Sequence, residues 1–161
     1  MTKAQAEQAI RIVPLRWRDV NTLHHLFVAA LDTDFAYIDQ RHRDIIKRQN
    51  SRRRLLAASS KHDRMIFLAW QEDKIVGYVI AGLAPNDSSN IDWLYIRPGL
   101  RGANIGLRLL SRAMRALIEH GAKNITLVTY TYTDYYARQG FRVLGRMTSD
   151  GIEQDLMRYD V

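Results

Sequence analysis

The feature that most constrains the fold is a glycine-bearing turn between an apolar stretch and an amphipathic one. Residues 91–96 read as a buried strand, which ends at Arg97-Pro98-Gly99 because proline cannot donate to a strand ladder and glycine favours turns. A long helix is then predicted from about residue 104 to residue 120. Its predicted apolar face consists of Leu109, Leu110, Met114, Leu117 and Ile118. This strand, turn and helix predict a β-α-β unit, and therefore a parallel pair of strands.

The start of that helix predicts a site for an anion. Backbone N–H groups in the first turn of a helix have no partner within the helix and carry partial positive charge. Small residues beside them let a phosphate approach closely, so the turn suits a pyrophosphate. A P-loop would need Gly-Lys-Ser/Thr at its end, which is missing here. The glycines stand at 99, 102 and 106, a spacing that does not fit the G-x-G-x-x-G dinucleotide fingerprint.

The remaining periodicity predicts a mixed α/β plan of the order β-α-α-β-β-β-α-β-α-β-β. A helix after Asp19 is expected to bury Leu23, Leu26, Phe27, Ala30 and Leu31. The other predicted elements are strands at 11–17, 65–70, 75–80, 125–129, 141–147 and 152–159, and helices at 39–59 and 135–139. One domain is expected over residues 11–161, after a polar lead-in of residues 1–10 that we expect to be frayed.

Two motifs resemble those of one known family. Residues 101–110 read Arg-Gly-Ala-Asn-Ile-Gly-Leu-Arg-Leu-Leu and resemble the coenzyme A loop R/Q-x-x-G-x-G/A of the GNAT superfamily of N-acetyltransferases. Asn104 replaces the usual middle glycine, and asparagine tolerates the left-handed conformation that such a turn needs. Residues 136–141 resemble the Y-x-x-x-G-F signature of the same superfamily. The resemblance extends over most of the chain, because the predicted order of elements also matches.

The resemblance implies a GNAT-like fold, with a mostly antiparallel sheet, a β-α-β unit that binds coenzyme A and a splayed parallel strand pair. It implies acetyl-CoA as the co-substrate, with the backbone of Leu94 and Ile96 bonded to the pantetheine arm. The pyrophosphate is then expected at Arg101, Gly102, Ala103, Asn104, Ile105 and Gly106. Tyr136 is expected to act as the general acid toward the departing thiolate. The implied activity is acetyl transfer to a primary amine by direct attack in a ternary complex.

The acceptor side is less defined by sequence. An attacking amine must lose a proton, and Asp92 is the candidate base, because strand alternation places it on the same face as Leu94 and Ile96. A structural or solvent-facing role for Asp92 stays open. Two walls of an acceptor site are also predicted, with solvated acids at a helix end as the alternative for the first wall. These walls are Asp32, Asp34 and Tyr37 on one side, and Tyr130, Tyr132 and Asp134 on the other.

Charge is concentrated in one segment. The net charge is +7, and residues 39–64 carry nine Lys and Arg against three Asp, a balance of +6. A solvated face is the default interpretation of this segment, and an acidic protein or nucleic acid is the alternative. Nucleic acid is not expected, because no nucleic-acid motif or aromatic stripe accompanies the charge. A non-catalytic regulatory module that binds coenzyme A and a basic protein- or nucleic-acid-binding domain remain alternatives to an enzyme.

Several classes are excluded or disfavoured. The chain has no cysteine, which excludes disulfides, thiolate metal sites and a cysteine nucleophile. No apolar run approaches the ~20 residues that cross a bilayer, and no secretory leader is recognisable, so a cytoplasmic protein without membrane contact is expected. No metal is expected, since His24 and His25 are adjacent rather than four apart. The acceptor, a small molecule or a protein, is not identified, and a homodimer is compatible with the sequence.

Overall fold

A computed structural model describes residues 9–60, 64–83 and 88–161, and in these ranges seven strands form one sheet. The strands are β1 (Ile10–Pro14), β2 (Arg64–Gln71), β3 (Lys74–Leu83), β4 (Ser88–Ile96), β5 (Asn124–Thr129), β6 (Arg142–Ser149) and β7 (Ile152–Asp160). The helices are α1 (Val20–Thr33), α2 (Gln40–Gln49), α3 (Arg52–Ala58), α4 (Ile105–Glu119) and α5 (Thr133–Ala137). Residues 1–8 of the predicted lead-in lie outside the described residues, and β1 already begins at Ile10.

The predicted fold class is confirmed. The strand order is β1-β2-β3-β4-β5-β7-β6, and β4 with β5 is the parallel pair in an otherwise antiparallel sheet of the described strands. The pairing of β4 with β5 covers only residues 88–90 of β4, although both strands continue. The two strands therefore separate beyond Asn90 and leave a gap, which is the predicted splay.

A β-bulge lies at the point where the strands separate. On the β3 side of β4, Ile80 pairs with Trp93 and Ala81 pairs with Ile91, so Asp92 is the extra residue. A bulge bends its strand and increases the local twist, which turns β4 away from β5. The predicted alternation of Asp92 with Leu94 and Ile96 is therefore wrong. Ile91 packs on the same side as Leu94, and Asp92 lies at the gap.

The sheet is covered on both faces. The amphipathic helix α4 packs on one face against β2, β3 and β4, and α1, α2 and α3 cover the other face. β3 is buried on both sides along most of its length, which explains its nearly continuous apolar sequence. The five apolar residues predicted to form the inner face of the first helix are all buried in α1, so that prediction is confirmed.

The prediction of one helix over residues 39–59 is wrong, because the segment forms two helices. Asn50 leaves the helical conformation at φ −117° and ψ 35°, and Ser51 then caps α3 by accepting a hydrogen bond from the backbone of Arg54 at 3.4 Å. Asparagine and serine side chains compete for backbone hydrogen bonds, and serine is a preferred N-cap. The break turns α3 so that Leu55 and Ala58 are buried, whereas Leu56 is exposed.

Gly77 on β3 is closely packed against both β4 and α4. A Cβ atom there would lie 2.7 Å from the carbonyl oxygen of Tyr95 and 3.2 Å from the Leu109 side chain. We expect Gly77→Ala to lower the free energy of unfolding by about 1–3 kcal/mol through overpacking, as measured by urea denaturation. Gly145→Ala is the matched control, because its Cβ would meet open space. Equal stability of the two variants would contradict this packing.

Candidate active site

A cleft of about 430 Å³ runs between β4, the N-terminus of α4 and α5. Six of the residues that sequence predicted for the co-substrate line it: Leu94, Ile96, Arg101, Gly102, Asn104 and Gly106. The other two contribute only backbone near the cleft. Ile105 is 2% exposed and lies in the core, and the Ala103 side chain packs against the same core cluster.

The loop before α4 presents backbone donors to this cleft. Gly102 and Asn104 both have positive φ, 83° and 58°, so the chain makes a left-handed turn just before the helix. The first helical hydrogen bond of α4 runs from the Arg108 N–H to the Asn104 carbonyl at 3.0 Å. Within the described part of the chain, the N–H groups of residues 105–107 donate to no backbone carbonyl outside the helix. They are therefore available to an anion, and the anion cradle at this turn stays a prediction.

Gly106 keeps this cradle open. A Cβ at this position would lie 3.3 Å from the hydroxyl oxygen of Tyr135, which comes from α5 across the cleft. That hydroxyl is buried and has no hydrogen-bond partner among the described residues. Buried polar groups are normally satisfied, so a polar ligand group in the cleft fits this unpaired donor. The sequence analysis did not select Tyr135, although its position beside Tyr136 was a signal.

Arg101 lies at the mouth of the cleft and is held by two acceptors. Its Nε donates to the Ile96 carbonyl at 3.1 Å, and its guanidinium lies 3.8 Å from the Asp34 carboxylate. Asp34 also accepts a hydrogen bond from the Tyr95 hydroxyl at 2.7 Å. Burial, with this hydrogen bond second, raises the pKa of Tyr95 to about 12. The Ile96 carbonyl thus already accepts one hydrogen bond from Arg101. Asp34 lies in the wall of the cleft, where Tyr95 and Arg101 already contact its carboxylate.

A second cavity occupies the gap between β4 and β5. Its inner part, about 100 Å³, is lined by Asp92, Leu94, Thr129, Tyr136 and Asp150 among others. Leu94 also lines the first cleft, as do two aromatic residues of the α1–α2 connection. The two cavities therefore meet at Leu94 on the splayed strand. Outward, Asp92 and Asp150 also line a groove of about 590 Å³ beside α2 and α3.

Asp92 has the properties of a proton acceptor. Its side chain is exposed to solvent, but it lines the concave gap, and the partial desolvation there raises the pKa of Asp92 above its ordinary value. The charge of Arg64 and a hydrogen bond from the Asn90 amide act in the opposite direction. A carboxylate with a raised pKa is a stronger base than an exposed one.

Tyr136 faces the gap rather than the first cleft. It is 9% exposed, and its ring packs edge-on against Tyr135 at 5.1 Å and Phe141 at 5.9 Å between centroids. Burial raises the pKa of Tyr136 far above its ordinary value, so the phenol stays protonated and can donate a hydrogen bond. The structure thus brings Tyr136 and Asp92 to the same cavity.

The predicted walls of the acceptor site are partly placed at the gap. Tyr37 and Tyr130 stack on each other with centroids 5.2 Å apart, which joins the two walls. Asp32, in contrast, lines none of these three cavities and forms an ion pair with Lys47 of α2 at 2.7 Å. The sequence analysis missed Asp150. It belongs to the Asp150-Gly151 turn between β6 and β7, whose φ angles of 53° and 75° suit a type I′ hairpin.

The splayed sheet and its cradle define a protein with the GNAT fold. The chain belongs to the acetyltransferase (GNAT) family, whose family model matches residues 20–141. It is similar to the PaiA N-acetyltransferase of Thermoplasma acidophilum in complex with coenzyme A, at 19% identity and a TM-score of 0.78, over 94% of this chain and 99% of that one. It is also similar to a GNAT acetyltransferase of Staphylococcus aureus Mu50, at 18% identity and a TM-score of 0.75, over the same shares.

Three further findings concern sequence relatives, membrane-spanning helices and metal-ligand clusters. No curated protein sequence matches the chain. Among residues 9–60, 64–83 and 88–161, no helix has the length and apolar character needed to cross a membrane. In the same ranges, no three His, Cys, Asp or Glu side chains come together as metal ligands.

We expect Asp92→Asn to raise the melting temperature at neutral pH. Desolvation raises the folded-state pKa of Asp92 above its ordinary value of 3.8, so the folded chain holds this proton more tightly than the unfolded chain. The ionised carboxylate therefore costs stability above the folded-state pKa, and the cost fades as the pH falls toward 3.8. The gain of the variant should shrink over the same range in calorimetric scans. Asp73→Asn, in the exposed β2–β3 turn, is the control, and a lower melting temperature for Asp92→Asn would contradict the expectation.

Proposed function

We propose that this chain transfers an acetyl group from acetyl-CoA to a primary amine by direct attack in a ternary complex. The observation that carries the proposal is the position of Leu94 on the splayed strand, where the cleft with the anion cradle meets the cavity with Asp92 and Tyr136. An acetyl donor in the cleft and an amine acceptor in the gap can react there directly, without a covalent acetyl-enzyme intermediate. Membership in the GNAT family and the GNAT fold support this reading.

The first cleft suits coenzyme A. The N–H groups at the start of α4 would hold the pyrophosphate, with Arg101 at the mouth to add positive charge. Apart from the Ile96 carbonyl, which accepts from Arg101, the backbone groups of β4 beyond Asn90 that face the gap pair with no described strand, so they can bond an extended ligand such as pantetheine. The buried Tyr135 hydroxyl would meet the same ligand beside Gly106. Bound acetyl-CoA supplies an activated thioester at the junction of the two cavities.

Asp92 would accept the proton that the amine loses, and Tyr136 would donate the proton that the thiolate gains. The amine nitrogen bonds to the acetyl carbon, the carbon–sulfur bond breaks, and the products are an amide and a thiol. Asp92 accepts the proton that the attacking amine loses, directly or through one water, and releases it to solvent. The Tyr136 hydroxyl donates a hydrogen bond and then its proton to the departing sulfur, and solvent restores that proton.

The donor site is tested by isothermal titration with acetyl-CoA. We expect saturable binding to the wild type and no measurable binding to Gly106→Trp, because the indole would fill the cradle beside Tyr135. Gly145→Trp is the matched control, since open space surrounds that position on β6. Failure of the wild type to bind acetyl-CoA would reject the proposed function.

The catalytic role of Tyr136 is tested by Tyr136→Phe. We expect kcat to fall about 10²-fold or more, in the range of general acid catalysis, while the Kd for acetyl-CoA stays unchanged. The assay follows thiol release in the presence of an amine acceptor. Tyr159→Phe, which alters a ring that also packs on Phe141, is the control. Binding of acetyl-CoA without turnover for wild type and variant alike, across acceptors, would favour a non-catalytic module.

A further inference from the structure

An arginine that the sequence analysis counted only as charge lies beside Asp92. On the sheet, Arg64 of β2 pairs with Gly82 of β3, which in turn pairs with Asn90 of β4. Side chains of paired residues stand on the same face, and Gly82 has none. The Asn90 amide group reaches over this position, 3.0 Å from where a Cβ would be. Gly82 therefore places no side chain between Arg64 on β2 and Asn90 on β4, which lies two residues before Asp92.

A buried amide fixes the guanidinium of Arg64. Its Nη2 donates to the Asn50 side-chain oxygen at 2.7 Å, and the Asn50 amide nitrogen donates to the Ile46 carbonyl at 3.0 Å. Asn50 is only 3% exposed and forms the break between α2 and α3. Both hydrogen-bonding ends of this amide are used, so its oxygen is oriented toward Arg64. The break between α2 and α3 therefore places an acceptor that helps to position the Arg64 guanidinium at the groove.

The groove outside the gap is lined by side chains of both charges. Arg64 and Arg54 line it together with Asp92 and Asp150, over a volume of about 590 Å³. Asp92 is also the residue that faces the inner cavity and Tyr136. A ligand with its amine at Asp92 leaves two guanidinium groups and one carboxylate, that of Asp150, in the groove, a balance of +1. This balance disfavours a second ammonium group and favours a carboxylate, which arginine can bind through two parallel hydrogen bonds.

We propose that the acceptor is a small molecule that carries a carboxylate beside its amine, that is, a free amino acid. The carboxylate binds to Arg64 and Arg54, and the amino group faces Asp92 at the gap. Asn50 is a positioning residue that acts through Arg64. This inference rests on the proposed acetyl transfer and names the acceptor class of that same site.

The first experiment compares matched acceptors on the wild-type protein. The panel contains the twenty amino acids and the amines that result from their decarboxylation, for example arginine with agmatine and tyrosine with tyramine. Acetylation is followed by thiol release from acetyl-CoA, and binding is followed by titration in the presence of coenzyme A. At least one amino acid should exceed its amine by about tenfold or more in kcat/KM, the value of a hydrogen-bonded ion pair.

The second experiment assigns the preference to the groove. Arg64→Met should lower the ratio of kcat/KM for the preferred amino acid to kcat/KM for its amine by about tenfold or more, because any effect through the pKa of Asp92 is common to both substrates. Asn50→Ala should raise KM for the amino acid with kcat nearly unchanged, whereas a purely structural role would affect both substrates alike. Arg53→Met, an exposed arginine on α3 outside the groove, should change neither value. The affinity of each variant for acetyl-CoA reports whether the fold is intact, and Arg54→Met replaces any variant that fails this check.

The outcomes separate the two proposals. Equal or better acetylation of the amines would overturn the amino-acid acceptor and leave acetyl transfer standing. Tight binding of acetyl-CoA with no binding or acetylation of any amino acid would also overturn it. An unchanged ratio of amino-acid to amine kcat/KM in Arg64→Met, with affinity for acetyl-CoA retained, would overturn the role of Arg64. Absence of acetyl-CoA binding would instead be a failure of the proposed function itself.

Discussion

The separation of β4 from β5 beyond Asn90 is the constraint on which the rest of the structure depends. A strand in the interior of a sheet normally pairs its backbone groups with both neighbours, but β4 lacks the pairing with β5 for six of its nine residues. The bulge at Asp92 bends the strand, and the result is a gap with unpaired backbone on one side. The stable pairing of β3 with both neighbours, buried on two faces, holds β4 in place despite this loss.

The two faces of the sheet supply different halves of the site. On one face, α4 brings its N-terminus to the splayed strand, where Gly102 and Asn104 adopt the left-handed conformation that aims the backbone donors. On the other face, the broken segment of α2 and α3 carries Asn50, which orients Arg64. The proposed donor and acceptor sites thus lie on either side of one strand, and each rests on its own hydrophobic cluster. This division lets the cradle be read from local sequence, whereas the acceptor groove depends on distant segments.

The residues that sequence analysis found are those whose role is local. The turn before α4 needs residues that tolerate positive φ, and such residues at 102 and 104 are visible in a single stretch. The analysis missed Tyr135, Asp150 and Arg64 because their proximity arises from strand order and hairpin register. It also misplaced Asp92, since period-two alternation cannot foresee a bulge. The prediction of a single long helix was wrong because neither the charge nor the apolar periodicity of the segment indicates the break at Asn50-Ser51. The serine, a preferred N-cap residue, was the one sequence signal for it.

The sequence by itself indicated the order of the strands, the β-α-β unit and the left-handed turn before α4, because each is read from the residue pattern of one continuous stretch of the chain. Only the tertiary structure decided that the cradle and the gap share Leu94, that Tyr136 and Asp92 face one cavity, and that Asp32 and Asp34 are already occupied. It also decided which of the many basic residues stands beside Asp92. These facts depend on distances between segments far apart in the chain, and pairing register and helix packing set those distances.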